Sequence, residues 1–380
     1  MTEDIFRRRA RMVTAALRAG YAWSVRHVEV RAWRELAGMT GVVMHALGPG
    51  SGPVTPVELV AALRVPLRNL LPPQPSGETE AVDDLVILNG DELTDAAYEV
   101  GCEYTQALFD SGGPAEEWLP PWTRQRAEQV ERELFEELTQ RGSDEQYTAT
   151  RRFLIDWPAG ADRELVQELN ARGAARVSVY GPVPDDRVFH WGADWDQRCW
   201  WPCPACRWPM RVRGGQVDCS FSPHQARYEI DPRMVHGGRP PRLLRRDSSV
   251  PAAPPGPQPA EGTRCVHLAA WRFVVVPGVT EVRLADALAA LPGVEARLWP
   301  GRDTYDLEVT PPGDPPLTVD VKDHTAAGRI AERPPRADHV VVPWYRRSQV
   351  GELSRLLAGK RVWDERRFLG HVRKLAGVRR

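Results

Sequence analysis

The amino-acid sequence predicts a multidomain protein with a mainly helical N-terminal region, a small cysteine-containing ribbon and a C-terminal α/β domain. Apolar residues recur every three or four positions in much of the first third of the chain. Two Cys/His pairs lie between Cys203 and His224, and short alternating strands follow an amphipathic helix near the C-terminus. A chain of 380 residues, 42% of them hydrophobic, can fill more than one core.

Residues 1–146 are predicted to be helical and partly acidic. Two helices are expected within residues 5–47, with Gly20 and Gly48 as helix ends. Residues 76–150 contain 19 acidic and 4 basic residues, which favours a solvated helical surface over a protein-docking face. No pattern typical of a catalytic site occurs here, so partner binding is the function we expect for this region.

The middle of the chain is predicted to contain three short parts. Residues 147–188 form a small strand-helix-strand unit, whose first strand is predicted within YTATRRFLIDWPAG (147–160). Residues 189–236 form the ribbon. Residues 237–263 are rich in proline and glycine and lack periodicity, which is typical of a linker. The C-terminal domain then comprises residues 264–380.

The ribbon contains two chelating pairs, Cys203-x2-Cys206 and Cys219-x4-His224. A glycine turn at 214–215 would fold one pair back onto the other. Three thiolates and one imidazole satisfy the tetrahedral, four-ligand preference of structural Zn²⁺. The spacing therefore predicts that these four residues bind zinc.

Zinc binding is not the only interpretation of the cysteines. Cys203 and Cys206 can also be a redox pair or two buried thiols, with Cys219 and His224 incidental, and Cys199 is a nearby rival ligand. Six cysteines in a chain of this length do not suggest a disulfide framework. We therefore expect metal binding first.

The C-terminal domain is predicted to begin with a helix at 280–291, followed by strands within VEARLWPG, TYDLEVTP and LTVDVKDH. Asp320 and Lys322 are two positions apart and share one strand face. A hairpin would bring them beside Asp306, which is expected in the middle of the preceding strand. Two carboxylates on adjacent strands can bind Mg²⁺, and the ammonium can orient a water molecule beside a phosphoryl group.

Two further side chains are additional candidates for this site. Glu308 shares a strand face with Asp306, and His324 can share one with Lys322. A helix within AAGRIAERPPRA and a buried strand within DHVVVPWY are expected next. The alternative interpretation of the charged hairpin is a solvated surface without catalytic function.

Asp306, Asp320 and Lys322 resemble the signature of the PD-(D/E)xK restriction-endonuclease-like superfamily. The order of elements also resembles that family: helix, strand, strand with Asp, strand with Asp-x-Lys, helix, strand. The resemblance implies metal-dependent cleavage of phosphodiester bonds, and Glu281 would match the acidic residue that some members carry on the first helix. The proline that the family loosely keeps before the first aspartate is replaced here by Tyr305.

A closer resemblance is carried by YDLEVTP and LTVDVKDHTAAGRIA together with the upstream CPACRWPM. These stretches are similar to the REase proteins associated with prokaryotic PIWI (pPIWI-RE) systems, mainly from Cys203 to the C-terminus. The resemblance implies defence against invading DNA or RNA-DNA hybrids. It also implies a PIWI-type protein and a DinG-like helicase as partners.

The sequence thus predicts an endonuclease that uses Mg²⁺ or Mn²⁺ to cut DNA or an RNA-DNA hybrid and that carries a structural zinc ion. The alternative is a non-catalytic zinc-ribbon factor that binds nucleic acid or protein and has a degenerate nuclease fold. Residues 321–380 contain 15 basic and 6 acidic residues, which suits a phosphate backbone. No apolar run approaches the roughly 18 residues of a membrane helix, and no secretory signal is recognisable at the start, so we expect a cytoplasmic protein.

Overall fold

The structure of the protein is a computed structural model. It describes residues 2–73, 82–106, 108, 118–139, 142–192, 195–234, 239–245, 253–325 and 327–378. The chain forms two compact units, Met1–Gln129 with His324–Arg329 and Val130–Asp323 with Ile330–Arg380. A helical N-terminal region precedes a region rich in β-sheet, as predicted. Parts of the acidic stretch, at 76–81, 107, 109–117 and 140–141, lie outside the described residues, so its solvated surface stays a prediction.

The first unit is built from helices and one short hairpin. Its elements are α1 (Thr2–Val25), α2 (Ala32–Leu47), α3 (Pro56–Ala62), β1 (Leu88–Asn89), β2 (Glu92–Leu93) and α4 (Asp95–Tyr104). α1 packs against α2 and α4. Gly48 ends α2 with a φ of +87°, which confirms its predicted role.

Gly20 does not end the first helix, contrary to the sequence-based expectation, because α1 continues to Val25. A Cβ atom at Gly20 would lie 2.4 Å from Cγ2 of Ile87 and 3.2 Å from Cδ2 of Leu93. Both side chains are buried in the core of this unit. The glycine is therefore required by close packing rather than by helix termination.

The segment His324–Arg329 joins the first unit at the end of α4. The carboxylate of Glu103 accepts hydrogen bonds from the backbone N–H of Thr325 at 2.9 Å and from its hydroxyl at 3.0 Å. The guanidinium of Arg329 donates to the carbonyl oxygen of Glu103 and lies 4.8 Å from the ring centre of Tyr104. Polar contacts thus hold this short segment on the helical unit.

Most of residues 147–160 is helical, so the predicted first strand is wrong. The elements here are α5 (Arg124–Thr139), α6 (Asp144–Asp156), β3 (Ala159–Ala161), α7 (Asp162–Ala171) and β4 (Tyr180–Pro182). Buried residues recur on one face of α6 at helical spacing, namely Tyr147, Thr150, Arg151 and Leu154. Burial at this spacing outweighs the β propensity of the threonines. Only the last residues of the predicted strand pair in a sheet, where β12 (Thr263–Val266) lies between β3 and β4.

Short strands occur in the segment 237–263 that the sequence predicted as a linker. β10 (Leu243–Arg245) pairs with β9 (Arg227–Ile230), and β11 (Gln258–Pro259) pairs with β6 (Gln197–Trp200). β6 also pairs with β5 (Phe189–Trp191). Strands of two or three residues are too short to produce a visible period in a proline-rich sequence. Residues 237–238 and 246–252 of this segment lie outside the described residues.

The ribbon is an antiparallel sheet with strand order β10-β9-β8-β7. β7 (Arg211–Arg213) and β8 (Gln216–Asp218) form a hairpin. Gly214 and Gly215 connect them with φ values of +52° and +86°, a conformation that glycine adopts without strain. The predicted glycine turn is confirmed.

The C-terminal sheet has the strand order β13-β14-β15-β16-β17. The strands are β13 (Glu295–Leu298), β14 (Leu307–Thr310), β15 (Leu317–Val321), β16 (His339–Val342) and β17 (Arg361–Asp364). The helices are α8 (Leu268–Ala270), α9 (Val276–Ala289), α10 (Pro300–Asp303), α11 (Ala327–Glu332), α12 (Val350–Leu356) and α13 (Glu365–Leu375). β13, β14 and β15 are antiparallel, and β15, β16 and β17 are parallel.

One face of this sheet is apolar and packs on two helices. Leu284 and Leu288 of α9 and Phe368 of α13 lie in one core with Leu307 and Val319 of the sheet. Asp306 directly precedes β14 instead of lying in the middle of a strand, which corrects the sequence-based position. Its side chain belongs to the opposite, polar face because successive residues alternate in extended backbone.

Among the described residues, no helix is both long enough and apolar enough to cross a membrane.

The packing at Gly20 predicts a loss of stability when a methyl group is added. Gly20→Ala should lower the free energy of unfolding by about 1–3 kcal/mol, because the buried Ile87 must move. Gly41→Ala in α2 is the matched control, since no atom lies within 4 Å of its added Cβ, and it should raise stability by about 0.5–1 kcal/mol. Urea denaturation followed by circular dichroism measures both, and equal midpoints for the two variants would contradict this account.

Candidate functional site

The hairpin of β14 and β15 brings together the three residues that the sequence singled out. Leu307 pairs with Val319, so the next antiparallel positions place Asp306 opposite Asp320 on the polar face. The Lys322 Nζ lies 3.4 Å from Oδ1 of Asp320 and 3.6 Å from Oδ2 of Asp306. One ammonium therefore contacts both carboxylates.

Backbone hydrogen bonds hold both carboxylates in place. The N–H of Val321 donates to Oδ2 of Asp306 at 2.6 Å, and the N–H of Ala337 donates to Oδ2 of Asp320 at 3.2 Å. Asp306 and Asp320 are only 7% and 5% exposed. Neither carboxylate is therefore a solvated strand residue.

Burial has the largest single effect on the pKa values of Asp306 and Lys322. It raises the pKa of Asp306, and the carboxylates of Asp303 and Asp320 raise it further, while Lys322 acts in the opposite direction. Burial also disfavours the charged form of Lys322, but Asp306 and Asp320 together raise the pKa of this lysine above its ordinary value. Two carboxylates carry more negative charge than the single ammonium of Lys322 can balance. Such a site suits a divalent cation with oxygen ligands, for example Mg²⁺ or Mn²⁺.

Glu281 lies on α9 and its carboxylate is already engaged. Oε2 accepts a hydrogen bond from Nε1 of Trp299 at 2.6 Å and one from the Arg151 guanidinium at 3.1 Å. Burial raises the pKa of Glu281 to about 8, and Asp306 adds to the shift. Among the described residues, Glu281, Asp306 and Asp320 do not form a group whose ligand atoms all lie within 4.8 Å of one another.

Sequence reasoning missed the groups that balance the charge of Glu281. Arg151 is 8% exposed and also forms an ion pair with Asp303 at 2.6 Å. Its guanidinium lies 4.6 Å from the ring centre of Trp299. The helical spacing of buried residues in α6 could have indicated that Arg151 faces the core. The prediction of a strand at this position led to a different assignment.

The other two predicted candidates have different surroundings. Glu308 lies on the polar face, but it accepts a hydrogen bond from the hydroxyl of Tyr305 at 2.7 Å and pairs with Arg297 at 3.6 Å. His324 belongs to the segment of the first unit described above, whereas Lys322 belongs to the second unit. Roles for Glu308 and His324 stay predictions.

Asp323 is a buried anchor that directly follows Lys322. Its carboxylate accepts hydrogen bonds from the hydroxyl of Tyr345 at 2.7 Å and from Nε of Arg346 at 3.0 Å. Burial raises the pKa of Tyr345, and Asp323 contributes to the shift. These contacts fix the backbone that carries the lysine, and no sequence pattern indicated them.

The four predicted zinc ligands form one cluster. Their ligand atoms all lie within 4.8 Å of one another. Nδ1 of His224 lies 3.6 Å from Sγ of Cys203 and 3.4 Å from Sγ of Cys219. A tetrahedral Zn²⁺ with ordinary Zn–S and Zn–N bonds requires a separation of about 3.6 Å between these atoms. The geometry fits zinc.

The local backbone and the burial of the ligands agree with a metal site. The N–H of Cys203 donates to the carbonyl of Trp208 at 2.9 Å, and the N–H of Cys219 donates to the carbonyl of Ala226 at 2.9 Å, so each ligand pair lies in a tight turn. Burial raises the pKa of the Cys203 and Cys219 thiols. Several buried thiolates at one point require a cation beside them. The rival Cys199 does not belong to the cluster and is buried in β6.

Aromatic packing connects the cluster to other parts of the C-terminal domain. Phe221 lies between His224 and Tyr345, with ring centres 4.8 and 5.7 Å away, respectively. Trp271 donates from Nε1 to Sγ of Cys206 at 3.3 Å and stacks on Trp208 at 4.4 Å. The ribbon and the elements around α9 therefore share one core.

Two family models match parts of the chain. Residues 8–161 match the family described as "pPIWI_RE three-gene island domain Y", and residues 278–380 match the one described as "REase associating with pPIWI_RE". Both matches support an association with pPIWI-RE systems, and the second is to a family of REase type. Searches of curated proteins and of solved structures gave no significant match.

The cluster geometry predicts about one zinc ion per chain. Cys219→Ser should lose the ion and lower the melting temperature, because structural zinc contributes folding free energy. Cys199→Ser is the matched control, a buried cysteine outside the cluster, and should retain the metal. Elemental analysis of the purified variants measures this. A zinc-free wild-type protein of ordinary stability would refute the assignment.

Two neighbouring arginines on α6 should differ strongly in their contribution to stability. Arg151→Met should cost about 3–5 kcal/mol, because it leaves the buried carboxylate of Glu281 and the partly exposed carboxylate of Asp303 without their cation. Arg152→Met removes a pair with Asp286 from a side chain that is 36% exposed, so it should cost about 1 kcal/mol or less. Chemical denaturation compares them, and similar losses would argue against the buried network.

Proposed function

We propose that the protein is a metal-dependent endonuclease of PD-(D/E)xK type that cuts DNA or an RNA-DNA hybrid. The observation that carries the proposal is the single ammonium of Lys322 between the buried carboxylates of Asp306 and Asp320. The match of residues 278–380 to an REase-type family supports it. Burial of two carboxylates that lie opposite each other costs free energy, and a hairpin that was only a solvated surface would leave them exposed to water.

Each residue of the site has a role that follows from its contacts. Asp306 and Asp320 would hold Mg²⁺ or Mn²⁺, each with an oxygen fixed by a backbone N–H. When bound, the cation acts as a Lewis acid toward the scissile phosphodiester. Lys322 orients the attacking water molecule and offsets the negative charge that develops on the phosphoryl group. Glu281, which accepts hydrogen bonds from Arg151 and from Nε1 of Trp299, adds a buried carboxyl group beside Asp306.

The rest of the chain supports this reaction and recruits partners. The zinc cluster is structural, because three thiolates and one imidazole leave no open coordination position. The contacts of Phe221 with Tyr345, and of Tyr345 with Asp323, support the backbone next to Lys322. Residues 8–161 bind partner proteins, and the family descriptions favour a pPIWI-RE system in prokaryotic defence. A PIWI-type protein and a DinG-like helicase are the partners we propose.

Cleavage assays test the assignment directly. Asp320→Ala and Lys322→Ala should each reduce Mg²⁺- or Mn²⁺-dependent cleavage by about 10³-fold or more, because loss of several kcal/mol of transition-state stabilisation costs this much. Lys360→Ala is the matched control, a lysine of similar exposure, at 24% against 28%, that pairs with Asp338. Labelled duplex, single-stranded and hybrid substrates should be tested with and without the partner proteins.

Two results would overturn the proposal. Cleavage that persists at full rate in both site variants would show that another site or a contaminant cuts the substrate. Absence of cleavage under every combination of metal, substrate and partner would favour the alternative, a zinc-ribbon factor that binds nucleic acid or protein without cutting.

A further inference from the structure

A cavity of about 700 Å³ lies beside the edge strand β17 and helix α13. Aromatic rings and cationic side chains line it together, namely Trp344, Trp363, Arg347, Arg366 and Lys374, and Gly370 also lies in its wall. Asp306, Asp320 and Lys322 do not line it. The cavity is therefore a separate feature of the C-terminal domain.

The cavity wall carries an excess of positive charge. Arg347, Arg366 and Lys374 are exposed, and within the described part of the chain none of them forms an ion pair. Asp364 is already engaged, since its carboxylate accepts the backbone N–H of Arg367 at 3.0 Å and pairs with the guanidinium of Arg367 at 3.3 Å. Three cations are therefore available to an anionic ligand.

The aromatic part of the wall offers flat surfaces. Trp344 is 43% exposed, although tryptophan is usually well buried. Trp363 stacks on His371 with ring centres 4.8 Å apart and planes at 18°, and its Nε1 donates to Nδ1 of His339 at 3.1 Å. Burial lowers the pKa of His371, so this ring contributes surface rather than charge near neutral pH. Hydrogen bonding and stacking fix the orientation of Trp363.

The cavity and the proposed cleavage site lie on opposite faces of the C-terminal sheet. Val321, next to Lys322, is in register with Val341, which is in register with Trp363. Two strand spacings separate Val321 from Trp363, about 10 Å between backbones. Trp363 shares the sheet face of Val321 and Val341 and packs on the apolar core, whereas Lys322 lies on the polar face. A strand bound at Lys322 would therefore reach the cavity only by passing around the edge strand β17.

We infer that this cavity binds one unpaired nucleotide, with its base stacked on the exposed face of Trp344 and its phosphate held by Arg347, Arg366 and Lys374. A planar aromatic group joined to an anion is the chemistry that stacked rings and unpaired cations recognise together. The nucleotide can belong to a strand or be a free nucleoside monophosphate. The inference does not depend on the proposed function, because Asp306, Asp320 and Lys322 do not line the cavity.

Binding measurements without divalent cation test the inference separately from catalysis. The full-length protein is titrated into a fluorescein-labelled single-stranded oligothymidylate of about 12 nucleotides, and fluorescence anisotropy gives Kd. Trp344→Ala should weaken binding by about 5- to 150-fold through loss of base stacking. Arg366→Ala should reduce the slope of log Kd against log salt by about 0.7.

Gly370 allows the cavity to be filled without disturbing the core. No atom lies within 4 Å of a Cβ added at Gly370, so Gly370→Leu should place its side chain in the cavity. This variant should weaken binding as Trp344→Ala does, with an unchanged or higher melting temperature, because glycine is unfavourable inside a helix. A folded Gly370→Leu protein removes the objection that Trp344→Ala acts by unfolding.

Trp195→Ala is the matched aromatic control, since Trp195 is 48% exposed and lies outside the cavity. Arg336→Ala is the basic control, and both should bind like the wild type. Unchanged Kd in Trp344→Ala and Gly370→Leu would overturn the inference. Competition by thymidine 5′-monophosphate would identify a free nucleotide as the ligand, and binding of the oligonucleotide alone would identify a strand. A protein that binds in this pattern but never cuts DNA would refute only the proposed nuclease function.

Discussion

The charge balance of one hairpin is the constraint on which the C-terminal domain depends. Asp306 and Asp320 lie opposite each other in buried positions, and two carboxylates cannot leave water side by side without compensation. Lys322 contacts both, and the backbone N–H groups of Val321 and Ala337 each bind one of them. A divalent cation would offset the remaining negative charge, so the same constraint that shapes the hairpin also favours the chemistry proposed for it.

The charge balance continues beyond the hairpin into two helices. Glu281 of α9 adds a buried carboxyl group beside Asp306, and Arg151 of α6 compensates both Glu281 and Asp303. α6 lies before the predicted boundary of the C-terminal domain at residue 264, yet it supplies this cation. The environment of the site therefore comes from elements on both sides of the ribbon, and the helical conformation of α6 is what presents Arg151 to it.

The Cys/His cluster and the charged strand are connected by direct contacts. His224, Phe221 and Tyr345 pack ring against ring, and the hydroxyl of Tyr345 donates to Asp323, the residue after Lys322. A metal ion bound by His224 would fix the first of these three rings in place. The ribbon therefore supports the backbone next to Lys322 through these contacts. A ribbon that was surrounded by solvent would not provide this support.

The sequence by itself determined the features that are encoded within a few positions, such as the two chelating pairs, the glycine turn at 214–215 and the alternation around Asp320. Only the tertiary structure decided which distant groups meet these features. Arg151 and Glu281 are 130 positions apart, and Gly20 required the position of Ile87 to be understood. Local period and spacing record propensities along the chain, whereas buried ion pairs and close packing depend on which surfaces meet after folding. A sequence pattern does not contain that information.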